Sequence, residues 1–174
     1  MRYFIGCIAL VLVYSGCSST ETTQQPVEDE QEIQPMMPSW YSDGIHSASD
    51  SLALHGFSFA SATDSSRAAE LSTQHSLRYL RFEIDRLAEE IRQDLADSDD
   101  GAAYNSPSFI IQLRRTVSQL PLDSASFDSM HNVSDRGIHY SYQRATLQKT
   151  ALYNLFENRL EDNRFLQQIR NLSN

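Results

Sequence analysis

The sequence predicts an α+β domain in which a small antiparallel sheet is packed by one long helix, with additional helices beside them. An apolar run from Leu52 to Phe59 has the composition of a strand. Between Asp64 and Asp97, apolar residues recur at steps of three and four, as on one side of a helix. From Ala125 to Leu147 the apolar spacing changes to about two, which predicts a hairpin. Because neither the strand nor the helix can bury its apolar face alone, we expect one core between them.

The chain begins with a segment typical of a bacterial secretory signal. Arg2 precedes an apolar run from Tyr3 to Tyr14, and the small pair Ser15-Gly16 precedes Cys17. The run is too short to cross about 30 Å of hydrocarbon, which needs roughly 20 residues. Its Ser-Gly-Cys ending resembles a lipobox, in which the cysteine thiol is acylated and the cysteine becomes the first mature residue. Residues 1–16 are therefore predicted to be a lipoprotein signal peptide and Cys17 the lipidation site, with an unlipidated secretory signal as the alternative.

Residues 17–37 are rich in Gln, Thr, Glu and Pro and contain little that a core would bury. This composition predicts a disordered tether between the anchor and a single domain over residues 38–174. Because no Asp follows Cys17 to retain a lipoprotein at the inner membrane, we expect outer-membrane anchoring with the domain in the periplasm. Several acyl chains would make that attachment stable.

The charge and the cysteines exclude two classes of protein. A formal net charge of -9, with Lys149 as the only lysine, argues against a nucleic-acid partner, which needs clustered cations. Both cysteines, Cys7 and Cys17, lie within the first 17 residues, so no disulfide is expected in the domain.

The long helix is predicted to carry its buried stripe through Leu80, Ile84 and Leu87, with Glu83 and Arg86 towards solvent. Its Arg81 and Arg86 are expected to make i,i+4 pairs with acidic residues on a solvated face. Two stripes of apolar or aromatic residues follow the helical spacing: Ala68, Leu71, His75, Tyr79 and Phe82 on one, and Leu77, Leu80, Ile84, Leu87, Ile91 and Leu95 on the other.

Three further elements complete the predicted domain. Ser106-Pro107 is an N-cap followed by an N1 proline and predicts a second helix, which Pro121 ends; a strand through Phe109 to Leu113 is the alternative. In the hairpin, Tyr140 and Tyr142 share one face and are expected to pack on the long helix. The apolar spacing from Thr150 to Asn171 predicts a last amphipathic helix.

A family resemblance rests on the order of these features. A lipobox and polar linker lead to Pro38-Ser39-Trp40, then to a strand with Gly56 and Ser58, and then to a long helix opening with Ala68-Ala69. This order resembles the Lpp-twenty family of bacterial lipoproteins, whose domain is similar to the N-terminal domain of flagellar assembly protein T. The resemblance implies an envelope lipoprotein with an α+β domain and no established catalytic centre.

The sequence contains two patterns that suggest a catalytic or a metal-binding site. Ser58, within Gly56 to Ala60, approximates the nucleophile elbow of an α/β-hydrolase, with Asp128 and His139 following in triad order. That fold needs repeated βαβ units for which this chain has no room. The histidines show no metal-binding spacing, although His131 and His139 would face each other across the hairpin.

The sequence thus predicts a non-enzymatic outer-membrane lipoprotein that binds an envelope protein or takes part in envelope assembly. No catalytic residue, cofactor or metal is expected, and its partners would be the membrane, through Cys17, and an envelope protein. A small periplasmic serine hydrolase using Ser58 and an unlipidated secreted binding domain are the alternatives.

Overall fold

The computed structural model of the protein describes residues 36–134 and 136–172. The predicted signal peptide, the Cys17 lipidation site and the tether up to residue 35 lie outside these residues. The elements in chain order are β1 (Ser47–Ser49), β2 (Ala53–Ala62), α1 (Ser65–Ala96), a 3₁₀ helix (Gly101–Asn105), α2 (Pro107–Ser118), β3 (Ser126–Val133), β4 (His139–Gln148), α3 (Lys149–Glu157) and α4 (Asn163–Asn171).

The four strands form one antiparallel sheet in the order β1-β2-β4-β3. The long strands β2 and β4 pair along their whole length, from Ala53 with Gln148 to Ala62 with His139. The chain reverses between β3 and β4 at Gly137, whose φ of 71° favours glycine. The predicted α+β class and the hairpin are confirmed.

Helix α1 runs for 32 residues without a break and packs across one face of the sheet. Its first turn is capped by Asp64, whose carboxylate accepts a hydrogen bond from the backbone N–H of Arg67. Helix and sheet are in close contact at Gly56, where an added Cβ would overlap the carbonyl oxygen of Ser76 and the backbone nitrogen of Leu80. A glycine is therefore needed where the helix backbone rests on β2.

The stripe through Leu80, Ile84 and Leu87 is buried as predicted, whereas the stripe from Ala68 to Phe82 is fully buried only at Ala68. Phe82, predicted to belong to it, is 61% exposed, while Ser72 and Ser76 are fully buried. The reason is the short distance between α1 and the sheet, which leaves room only for small side chains. Ser72 fills this space, and its Oγ lies 2.7 Å from the Oγ of Ser141 on β4.

Glu83 is the second correction on α1. It was expected to face solvent, but only 2% of the residue is exposed. Its carboxylate accepts a hydrogen bond of 2.6 Å from Arg86 and one of 3.0 Å from the hydroxyl of Ser47 on β1. These two donors compensate the charge, so the helix buries a residue that a polarity pattern assigns to water.

Helix α2 begins as predicted, with Ser106 as N-cap and Pro107 at N1, so the strand alternative through Phe109 to Leu113 is wrong. Its C-terminal carbonyls meet Arg81 of α1, whose guanidinium donates to the carbonyls of Val117, Ser118 and Leu120. Arg81 was expected to pair with an acid on a solvated helix face. It instead satisfies acceptors that the end of a helix leaves unpaired.

Tyr140 and Tyr142 do share a face, but the face is the one opposite α1. Side chains alternate along a strand, and the residues of β4 that contact the helix side are Ser141, Gln143 and Ala145. Tyr142 is 2% exposed because Tyr41 and Phe59 pack against its ring. The expectation that both tyrosines pack on the long helix is wrong.

The C-terminal segment forms two helices instead of the predicted one. Helix α3 ends at Glu157, and α4 starts after Asp162, whose carboxylate accepts a hydrogen bond from the backbone N–H of Phe165. The break lets Phe156 and Phe165 approach each other, with ring centroids 5.6 Å apart, in the core beside α1. None of the described helices is long and apolar enough to cross a membrane.

Candidate interaction surface

A groove of about 740 Å³ lies on the α1 side of the sheet, between α1 and the segment that leads into β3. It forms because β3 is the outermost strand and extends past the part of the sheet that α1 covers. Phe127 on β3 is consequently 44% exposed, and Leu77 of α1 lies on the other side of the groove. The residues that line it are Thr73, Gln74, Leu77, Arg78, Arg81, Leu120, Pro121, Leu122, Asp123 and Phe127.

A second, smaller hollow of about 350 Å³ adjoins the groove and shares Arg78 and Arg81 with it. The exposed ring of Phe82 and the cation Arg114 also line this hollow, together with Asp85. Arg81 is held in place by the carbonyls at the end of α2, whereas Arg78 is exposed. The combined surface thus offers exposed aromatic rings beside arginines, residue types that are enriched at protein interfaces.

The other face of the sheet is covered by the segment that precedes β1. Trp40 stacks on Phe57 with ring centroids 6.4 Å apart, and the guanidinium of Arg144 lies 5.4 Å from the centre of the Trp40 ring. The carboxylate of Asp128, opposite Arg144 on β3, accepts a hydrogen bond of 2.7 Å from the Arg144 guanidinium. Trp40 therefore covers the core at this face.

The residues of the hydrolase alternative are not brought together. Ser58 is 2% exposed and donates its hydroxyl hydrogen to the carbonyl of Ser72, inside the α1 interface. Asp128 lies on the opposite face of the sheet, bonded to Arg144. Ser58 pairs with Gln143 on β4, and His139 lies four residues further along that strand. The distance along the strand from Gln143 to His139 is about 13 Å. This arrangement cannot act as a Ser-His-Asp triad.

His131 and His139 lie on the same face of the hairpin but not directly opposite each other. Their cross-strand partners are Ser141 and Val133, so the two histidines are diagonal neighbours. Among residues 36–134 and 136–172, no group of three or more His, Cys, Asp or Glu side chains is placed to hold a metal ion.

One ionisable pair stands out at the β1–β2 turn. Asp50 accepts hydrogen bonds from the backbone N–H groups of Leu52 and Ala53, and the Nε2 atom of His55 lies 3.0 Å from its other oxygen. The hydrogen bond with His55, followed by those from the backbone, lowers the pKa of Asp50 to about 2. All of these bonds hold the turn in shape, and we assign the pair a structural role.

Sequence reasoning did not find the groove. The charge pattern places Arg81 on a solvated helix face, and the helical spacing places Phe82 in a buried stripe. The one available signal was that Phe82 departs from the continuous stripe through Leu80, Ile84 and Leu87. Exposure of Phe127 depends on how far β3 extends past α1, which is a property of the assembled sheet.

Comparison with known proteins adds no relative. No family model matches this chain, and no curated protein or solved structure is significantly similar to it.

Proposed function

We propose that this protein is a non-enzymatic lipoprotein anchored in the outer membrane through Cys17, with its α+β domain in the periplasm. The domain binds an envelope protein through the groove between α1 and β3. The membrane and that protein are its two partners, and the domain uses no cofactor.

The anchor is supported by the sequence Ser15-Gly16-Cys17 after a short apolar run. The order of features that resembles the Lpp-twenty family supports the same proposal, since the strand with Gly56 is followed by a long helix, as that resemblance implies. The unlipidated secreted domain differs from this proposal only in the fate of Cys17.

The binding role is carried by one observation, the groove with its exposed aromatic rings and arginines. A ring that is exposed in the free protein gains burial when a partner covers it. Arg78 adds a cation that an acidic side chain of the partner would neutralise. The groove therefore suits a segment that carries both apolar and acidic side chains. A hydrolase would need a nucleophile open to substrate, which the buried Ser58 does not provide.

Mass spectrometry of the intact protein from the membrane fraction tests the anchor. We expect a mature chain that starts at Cys17 and carries acyl mass, and a Cys17→Ala variant that leaves the membrane fraction. Cys7→Ala is the matched control, because Cys7 lies in the signal peptide and should leave the mature protein unchanged. A mature chain without acyl mass would refute the lipid anchor and leave the secreted alternative.

Site-specific photo-cross-linking in intact cells tests the groove. A photoreactive residue at Gln74, which lines the groove, should yield a cross-linked envelope protein that is reduced by Arg78→Glu. The same residue at Asp94, which is exposed on α1 outside the groove, is the matched control. Equal products from both positions, or none from Gln74, would contradict binding at the groove.

A further inference from the structure

Strand β3 has an outer edge that no described strand occupies. Its inner edge pairs with β4 along Ser126–Val133, and the sheet order places it last. In the first residue pair beyond β3, Ser134 lies opposite Ile138, and the N–H of Ser134 donates a hydrogen bond to the carbonyl of Ile138. Since hydrogen-bonded pairs alternate along an antiparallel ladder, the even-numbered residues of β3 bond to β4. The N–H and C=O groups of Phe127, Ser129, His131 and Val133 therefore point outward.

This edge lacks the features that usually prevent strands from pairing with other chains. The sequence of β3, from Ser126 to Val133, contains no Lys, Pro or Gly. Its single charged residue, Asp128, is neutralised by Arg144 on the neighbouring strand. The opposite edge of the sheet is formed by β1, which has only three residues. The sheet thus has one long open edge, the eight residues of β3, and this edge carries exposed apolar side chains.

The side chains of β3 are complementary to a second copy of the same strand. In antiparallel self-pairing centred on Met130, Phe127 lies opposite Val133 of the second copy, and the two are 44% and 61% exposed in the single chain. An aromatic residue opposite a β-branched one is a stabilising cross-strand pair. In the same register Asp128 lies opposite Asn132, so no like charges meet.

Other registers lose this complementarity. The outward-pointing backbone groups of the two strands must face each other, so an odd-numbered residue of β3 must lie opposite another odd-numbered residue. The allowed registers therefore differ by sliding one strand two residues at a time along the other. One step to either side separates Phe127 from Val133. The next step on one side places Asp128 opposite its own copy, which is a repulsive pair.

The position of the N-terminal end of the domain fits the same arrangement. The side chain of Asn132 donates a hydrogen bond to the backbone carbonyl of Met36, which places Met36 beside the face of β3 opposite α1. The two-fold axis of antiparallel edge pairing is perpendicular to the sheet, so equivalent faces of both copies point the same way. Met36 therefore lies on the same side of the sheet in both copies.

We propose that the protein forms a two-fold symmetric dimer in which β3 pairs with β3 of a second copy, centred on Met130, to give one continuous eight-stranded sheet. Four outward residues per copy supply about eight inter-strand hydrogen bonds. The pairing places Val133 of the second copy beside Phe127, one of the residues that line the groove. The α1 side of the groove, with Leu77 and Arg78, stays open, so the dimer does not depend on the proposed partner.

Disulfide trapping tests the register. In the full chain, Met130→Cys places two thiols in a non-hydrogen-bonded pair, whose Cα atoms are about 4.5 Å apart and suit a disulfide. Mild oxidation of isolated membranes should convert this variant to a species of twice the monomer mass. Ser126→Cys, on the same strand and face, is the matched control and should stay monomeric, and the wild type controls for Cys7 and Cys17. A monomeric Met130→Cys, equal trapping at both positions, or a product with a different protein would overturn the proposal.

Sedimentation of the detergent-extracted full chain tests the energetics. Val133→Lys, at a residue that is 61% exposed, should weaken self-association by about tenfold or more, because an edge lysine opposes strand pairing. Val133→Thr keeps the β-branched shape and should change it little. The measurement belongs at about 0.15 M salt, where the repulsion between two acidic chains is screened beyond about 8 Å. An unchanged dimer with Val133→Lys, or a monomeric wild type, would refute the pairing. Cross-linking from Gln74 should be unaffected by Val133→Lys, so the dimer and the groove can fail independently.

Discussion

Single residues account for most of the differences between expectation and structure. Glu83 is charged, and a polarity pattern places it in water, yet it is buried with Arg86 and Ser47 as donors. Ser72 and Ser76 are polar and lie in the core, while Phe82 is aromatic and exposed. In each case the environment depends on a neighbour distant in sequence or on the gap between two elements, and neither is visible in the local pattern.

Glu83→Ala should destabilise the domain by about 1 to 3 kcal/mol, because it removes a buried acceptor and leaves the Ser47 hydroxyl and one side of Arg86 without their partner. Glu90→Ala, which removes an exposed acid 3.5 Å from Arg86, should cost less than about 0.5 kcal/mol. Urea unfolding of both variants measures the difference. Equal midpoints would mean that the Glu83 contacts contribute no more than a surface ion pair.

The turn at Asp50 should make stability depend on pH in the acid range. Its pKa is about 2 in the folded chain, against 3.8 ordinarily, so the unfolded state binds more protons between these values. The contribution of this carboxylate is present above pH 4 and is lost as the pH falls towards 2. Asp50→Asn should flatten the stability profile over that window. Asp99→Asn, at an exposed residue of the turn after α1, is the matched control and should leave the profile unchanged. NMR titration that finds an ordinary pKa for Asp50 would contradict this.

At the scale of elements, local signals predicted where α1 and α2 begin, but they missed the break between α3 and α4. Asp64 caps α1 and Ser106-Pro107 starts α2, because capping depends on residues within one turn of the helix end. The side of the sheet that meets α1 was not predictable, since β2 carries apolar residues on both faces, with Leu54 on one and Phe57 on the other. Only the absence of a side chain at Gly56 marks the helix-facing side.

Gly56→Ala should therefore be among the most damaging small substitutions in the protein. Its new methyl group would meet backbone atoms of Ser76 and Leu80, which cannot turn away as a side chain can. We expect a loss of about 1 to 3 kcal/mol, the usual cost of overpacking, with α1 displaced from the sheet. Ser61→Ala, at an exposed position of the same strand, should stay within about 0.5 kcal/mol. Thermal unfolding of the two variants makes the comparison.

At the scale of the whole molecule, the sheet has two different coverings. Helix α1 covers one face with aliphatic residues and small serines, and the segment with Trp40 and Tyr41 covers the other with aromatic rings. The sequence predicted a single core but not this second covering, because Trp40 is far in sequence from Phe57 and Arg144. The groove beside β3 was equally hidden, since it arises from the width of the sheet relative to one helix.

The two coverings should unfold together. Trp40 is the only tryptophan, so its fluorescence reports on the face opposite α1, whereas far-ultraviolet circular dichroism is dominated by the helices. Because both faces share β2 and β4, we expect the two signals to give the same urea midpoint, as in a two-state transition. Leu80→Ala, at a fully buried position of α1, should cost about 2 to 5 kcal/mol and lower both midpoints equally. The contrary result would be a fluorescence transition at lower urea than the loss of helix, with a midpoint that Leu80→Ala does not change. The Trp40 segment would then detach while the helix and the sheet stay folded.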